Sequence, residues 1–141
     1  MLIETDVILA HIKKEDWLKP YAEYILRRVV RGELELYVSR EVIHEVYYIV
    51  RRLNLEISNV LDKLVALTKV PNLIWVPTTV DLDLAALALL VEYGFSSIFD
   101  AYYAATALLY VPDRTIISTN DVYDRIPGLN RIDPREISSI L

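Results

Sequence analysis

The chain has 141 residues, 54% of them hydrophobic and 25% charged, with a formal net charge of −5. That length fits one domain with a substantial core, and the composition excludes disorder, collagen-like repeats and low-complexity tracts. The absence of Cys excludes a disulfide scaffold, a thiol nucleophile and a Cys-ligated zinc or iron–sulfur site, while the negative balance excludes a general nucleic-acid coat but leaves room for a local acidic cluster that binds cations.

Mean hydropathy is +0.29, yet the most apolar stretches, Leu84–Val91 and Ala101–Val111, fall well short of the ~20 residues a membrane span needs. The opening MLIETD has no basic segment ahead of an apolar block and no small-residue cleavage site. A cytoplasmic protein without a membrane partner is therefore expected. Scarce Cys, Gln and Met beside abundant Ile, Val, Glu, Arg and Tyr fit adaptation to heat, a thermophile signature.

In chain order, Leu2–Ala10 is β-rich and predicts the first strand. Asp16 resembles a helix N-cap, and Tyr24, Ile25, Arg28 and Val29 carry a 3.6-residue period up to Gly32. Leu34–Val38 predicts a short strand. Ser39 then caps a helix with Val42, Ile43, Val46, Ile49, Val50 and Leu53 on one face, broken at Asn54. Ser58 to Lys69 is a further amphipathic helix, and Leu73–Val76 a strand stopped by Pro77. Thr78 or Thr79 opens a helix closed by Gly94. After a short loop comes the helix Asp100–Tyr110, then a strand Arg114–Ser118, a last strand around Asn130–Ile132 and a short end helix. Strands alternating with helices predict a single α/β domain over 1–141, with a mostly parallel central sheet whose ligands belong at the carboxyl ends of the strands.

Four acidic positions stand out: Asp6 with Glu4, Glu45, Asp100, and Asp121 beside Asn120. On a strand, Glu4 and Asp6 face the same way inside an apolar run, where charge needs a partner or a metal. A turn cap formed by Thr5 and Asp6 is the alternative. Glu45 flanks the buried stripe of its helix, where the residues alone favour a boundary glutamate paired with Arg51 or Arg52; His44 beside it reads as a surface or satisfied histidine. Asp100 suits a first helical turn, where the dipole keeps it ionised. Thr119-Asn120-Asp121 also reads as an Asx turn. HExxH, GxSxG, the P-loop and GxGxxG are all absent, and two His (11 and 44) do not make a multi-histidine zinc site.

Together these pieces resemble a PIN-domain ribonuclease of the VapC toxin type, of the small archaeal kind, over essentially the whole length. The pieces are Glu4-Thr5-Asp6-Val7-Ile8-Leu9-Ala10, Ser39 followed by Glu45 in SREVIHE, Asp100 in FDAYYAATAL with Ala104, Ala105 and Ala107 on its small face, and IISTNDVYDRIPGLNRIDP from Ile116 to Pro134. In the family the first acid is usually Asp directly before Thr or Ser, which here is Glu4, with Asp6 two residues on. The fourth acid stands three residues before an aromatic, which counting back from Tyr123 is Asn120, with Asp121 adjacent. The reading taken is Asp6 for the first, as nearer the strand's carboxyl end, and Asp121 for the fourth, as anionic; Glu4 and Asn120 are alternates.

The resemblance implies a three-layer α/β/α fold and an endoribonuclease using Mg²⁺ or Mn²⁺. It assigns Glu45 and Asp100 to metal and catalysis; Asp6 and Asp121 join them by the choices above, with Thr5 and Thr119 expected to hold the ligands. It also implies an RNA substrate, a small VapB-like antitoxin and a homodimer. Lys13, Lys14, Arg40, Arg51, Arg52 and Arg125 are candidates for holding the RNA backbone, though each also reads as a solvated helix charge. The rival readings are a PIN-fold protein that binds RNA or a partner without cleaving, and a receiver-like phosphoacceptor domain. The second lacks the late Lys it needs, the last being Lys69.

Overall fold

The computed structural model describes all 141 residues. Five strands form one parallel sheet in the order β3-β2-β1-β4-β5: β1 (Leu2–Ile3), β2 (Leu36–Ser39), β3 (Leu73–Val76), β4 (Thr115–Ile117) and β5 (Asn130–Ile132). Helices α1 (Thr5–Ile12), α2 (Lys19–Val30), α3 (Glu41–Arg52), α4 (Ile57–Thr68), α5 (Val80–Tyr93) and α6 (Ile98–Tyr110) supply the crossovers, and α7 (Ile137–Ile140) ends the chain. This is the expected three-layer α/β/α arrangement. No single helix is long and apolar enough to cross a membrane.

The first element departs from expectation. The strand stops at Ile3, not Ala10, and Thr5–Ile12 is helical. Glu4 N–H makes the last bond to the sheet, on Ile117 O at 3.2 Å, and Glu4 C=O already accepts from Val7 and Ile8 N–H. Thr5, Val7, Ile8, Leu9, Ala10 and Ile12 are all buried. A short helix buried almost all round has no amphipathic period, so its apolar run is indistinguishable from that of a strand. Glu4 and Asp6 therefore do not share a strand face. Similarly, α2 begins at Lys19, and Asp16 is a turn residue whose Oδ1 accepts from Leu18 N–H at 2.8 Å.

Where the sequence carries its own stops, the boundaries agree. Thr79 Oγ1 caps α5 by accepting from Leu82 N–H, and Gly94 closes it at φ +66°, a left-handed conformation that glycine adopts without strain. Ser97 caps α6 through Phe99 N–H at 3.2 Å, which puts Asp100 inside the first turn.

Two features place the functional edge. β1 lies between β2 and β4, so the chain builds outward on one side and then crosses to the other. Ligands of open α/β sheets bind at such a switch point, outside the carboxyl ends of the strands. Helix α6 turns Ala101, Ala104, Ala105 and Ala107 inward, each essentially inaccessible, against a core that includes Leu2, Ile3, Leu36, Val38, Ile116 and Ile117. Those small side chains let the helix backbone lie close to the sheet and bring its first turn to the same edge.

Candidate active site

Glu4 follows β1, Thr119 and Asn120 follow β4, Glu45 lies on α3 and Asp100 on α6. With Thr5, Asp6, Leu9 and Ile49 they line one open cleft of about 250 Å³. Four carboxylates thus share a single depression. Glu4 and Asp100 are buried, and Asp6 and Glu45 half-buried. None of the four forms an ion pair with any Lys, Arg or His.

Hydroxyls and amides take the place of cations. Ser118 Oγ donates to Glu4 Oε2 at 2.5 Å and accepts from Asn120 N–H at 3.0 Å. Thr119 donates twice to Asp6 Oδ2, from its N–H at 2.8 Å and its hydroxyl at 2.7 Å, while Asp6 Oδ1 accepts from Val7 N–H at 2.8 Å. Tyr103 OH accepts from Thr5 Oγ1 at 2.6 Å and donates to Glu45 Oε1 at 2.9 Å. Asp100 has only two long contacts, from Tyr123 OH and Asn120 Nδ2, both at 3.5 Å.

The electrostatics follow. Burial pushes the Glu4 carboxyl well above its usual range, the Asp6 carboxylate adds to the shift, and the Ser118 bond opposes it. Burial also raises Asp6, against the lowering effect of Thr119. Asp100 is pushed up to about 6, first by burial and then by the charge of Glu45. Tyr103 and Tyr123 are raised well above ordinary tyrosine, chiefly by burial, so both hydroxyls stay protonated donors at neutral pH.

A cluster of buried, unpaired carboxylates is costly, and it is relieved by taking up protons, by pairing or by binding a cation. The donor set is entirely oxygen, which suits a hard divalent ion. Glu4 and Glu45 each keep one oxygen without a partner in the chain, and Asp100 is held only loosely. No three of these side chains stand in ready-made ligating geometry.

A family model described as the PIN domain matches residues 1–129. The chain belongs to the PIN domain family. No curated protein matches it. Two solved structures share its fold: a chain of a toxin–antitoxin complex from Klebsiella pneumoniae, at 18% identity and TM-score 0.63, covering 94% of this chain and 96% of that one, and a chain of VapBC2 from Rickettsia felis bound to a promoter DNA fragment, at 18% identity and TM-score 0.67, covering 93% and 96%.

Within this PIN domain the two ambiguous acidic positions separate. Glu4, not Asp6, adjoins the carboxyl end of β1. The carboxylate of Asp6 lines the cleft, but both its oxygens are engaged, Oδ2 in holding the Thr119 turn and Oδ1 with Val7 N–H. Asn120 lines the cleft too, and its Oδ1 accepts from Val122 N–H at 3.1 Å, so the Asx turn is also real. Asp121 is exposed and outside the cleft lining. Thr119 holds Asp6 directly, whereas Thr5 reaches Glu45 only through Tyr103. Of the basic candidates, Lys13 pairs with Asp16, and Lys14, Arg40, Arg51, Arg52 and Arg125 are exposed. Reading the sequence for acids missed Ser118, Tyr103 and Tyr123. The signal for Tyr103 was present: it stands three residues after Asp100, on the same helical face.

Proposed function

We propose that this chain is a Mg²⁺- or Mn²⁺-dependent endoribonuclease of the VapC toxin type. One observation carries the reading: four carboxylates from distant parts of the chain line one cleft with no cationic side chain among them. Asp100 and Glu45 would hold the ion, with Glu4 favoured over Asp6 as the first acid and Asn120 over Asp121 at the fourth position. The ion, when bound, supplies an activated water and stabilises charge on the phosphate oxygens. The protein's own part is orientation. Tyr103 fixes the Glu45 carboxylate, Ser118 fixes Glu4, and the Asp6–Thr119 clamp holds Asn120 against Asp100.

The exposed stripe Val80, Leu84, Leu87 and Val91 on α5 supports a homodimer, and the apolar furrow of Ile43, Val46, Val50, Ile57, Val60, Leu61 and Leu64 between α3 and α4 supports an antitoxin helix as partner. Asn120, an amide where the family usually has an acid, favours the second reading, an RNA-binding PIN domain that does not cleave.

The deciding experiment is cleavage of a panel of RNAs with Mg²⁺, Mn²⁺ or EDTA, comparing the parent with Asp100→Asn and Glu45→Gln. Cleavage that needs metal and falls at least ~100-fold in both variants supports the nuclease. Activity that survives the chelator, or survives in both variants, defeats it. Binding without cleavage selects the second reading.

A further inference from the structure

Beside the acidic cleft lies a second depression of about 480 Å³, lined by Glu41, His44, Tyr47, Tyr48, Ile98 and Phe99. Helices α3 and α6 supply both walls. Glu45 of the cleft follows His44, and Asp100 follows Phe99. Consecutive residues of a helix project ~100° apart, so the groove and the cleft occupy neighbouring faces of the same two helices.

Its lining is built for a flat, polar-edged ring. The Tyr48 ring is 62% exposed and stands 6.1 Å from that of Phe99, tilted by 50°. Tyr47 meets Tyr48 edge-on at 5.6 Å. The groove's polar edge is pre-ordered. Ser39 Oγ accepts from Glu41 N–H, Thr78 Oγ1 donates to Glu41 Oε1 at 2.8 Å, and Glu41 Oε2 bonds His44 Nδ1 at 2.8 Å. That bond fixes the imidazole plane and leaves Nε2 without a partner in the chain, on a half-exposed ring. A protein helix would suit the furrow between α3 and α4 instead, whose lining is aliphatic except for Tyr47.

We propose that this groove is a nucleobase subsite: an unpaired RNA base stacks on Tyr48 against Phe99, with its polar edge toward His44, and so seats the adjoining phosphate at the acidic cleft. The inference rests on the RNA-cleaving reading of that cleft. The subsite takes an unpaired base, because a base in a duplex offers no free face to an aromatic side chain.

The test separates the two readings because it is made in EDTA, without cleavage. Fluorescence anisotropy measures binding of an eight-nucleotide single-stranded RNA and of an abasic ribose-phosphate oligomer of the same length. The parent should bind the base-bearing oligomer about 10-fold more tightly, within the range for one stacked base. Tyr48→Ala should erase that preference while the far-ultraviolet dichroism stays native, and Tyr48→Phe should keep it within about twofold, since the ring remains. Equal affinity of the parent for the two oligomers, binding of neither, or a preference that survives Tyr48→Ala would each overturn the subsite. Altered sedimentation mass of Tyr48→Ala with unaltered RNA preference would also overturn it and mark the groove as a protein interface. A chain that stacks bases but cuts nothing would keep the subsite and lose the nuclease.

Discussion

Replacing Asp100 by Asn should make the metal-free protein more stable at neutral pH. In the folded chain its carboxyl is raised from 3.8 to about 6. The folded state therefore binds more protons than the unfolded chain between about pH 4 and pH 6. Stability falls as pH rises through that window, and the full penalty is present above about pH 6. A shift of some two units corresponds to about 3 kcal/mol. The carboxylate faces an open cleft, where solvent screens part of the interaction, so about 1–2 kcal/mol is the expected gain. The bonds given up are the two long ones at 3.5 Å, which offset little. Urea unfolding in EDTA at pH 7.5 and pH 4.5 measures it. Asp100→Asn should exceed the parent at pH 7.5, by only about a third of that margin at pH 4.5, and should gain less than the parent when Mn²⁺ replaces the chelator. A variant less stable than the parent at pH 7.5, or equally stabilised at both pH values, would refute the claim that Asp100 is a burdened, unpaired charge.

Four more outcomes follow from the same geometry. Asp6→Ala should cost about 1–3 kcal/mol in urea unfolding, because three donors lose their acceptor, whereas exposed Asp121→Ala should stay within about 0.5 kcal/mol. Tyr103→Phe should cost about 1–3 kcal/mol, since the buried Thr5 hydroxyl loses its acceptor and Glu45 its donor; full stability of the variant would show that this network contributes nothing. Mn²⁺ binding near pH 6 should release protons, because ligation requires the ionised form of a carboxyl that is about half protonated there, and calorimetry in buffers of different ionisation enthalpy reads the number. Asn120→Asp should tighten Mn²⁺ binding and lower metal-free stability by about 1 kcal/mol, as a donor to Asp100 becomes a like charge; weaker Mn²⁺ binding in calorimetry would contradict a ligand cluster there.

Most of the architecture was legible because the chain punctuates itself. Pro77 and Gly94 are local stops, and the ends of β3 and α5 fall where they direct. The end of β1 was not legible, since Val7, Ile8 and Leu9 are buried from every side and carry no period. That one error moved Asp6 to the strand's end in place of Glu4. Choosing Asp121 by charge failed to anticipate its exposure for a related reason: the Thr119-Asn120-Asp121 turn is held from the far end of the chain by the bonds of Thr119 to Asp6, with Ser118 holding Asn120 N–H locally. No local pattern encodes the Thr119–Asp6 pairing. Glu45 and Asp100, whose family positions coincide with their own identities, both line the cleft.

The molecule accepts an electrostatic cost at one edge and meets it with packing elsewhere. Cationic partners for Glu4, Glu45 or Asp100 would relieve the repulsion, but they would also occupy the oxygens that a divalent ion needs. Neutral donors from Ser118, Tyr103, Tyr123 and Asn120 hold the carboxylates in place without discharging them. The opposing stabilisation comes from the closely packed small face of α6 and the buried strands beneath it, so the rigid part of the fold ends within one helical turn of its least comfortable charges. Stability and cation affinity should therefore trade against each other along the series parent, Asp100→Asn and Asn120→Asp, with the most stable metal-free chain being the poorest Mn²⁺ binder.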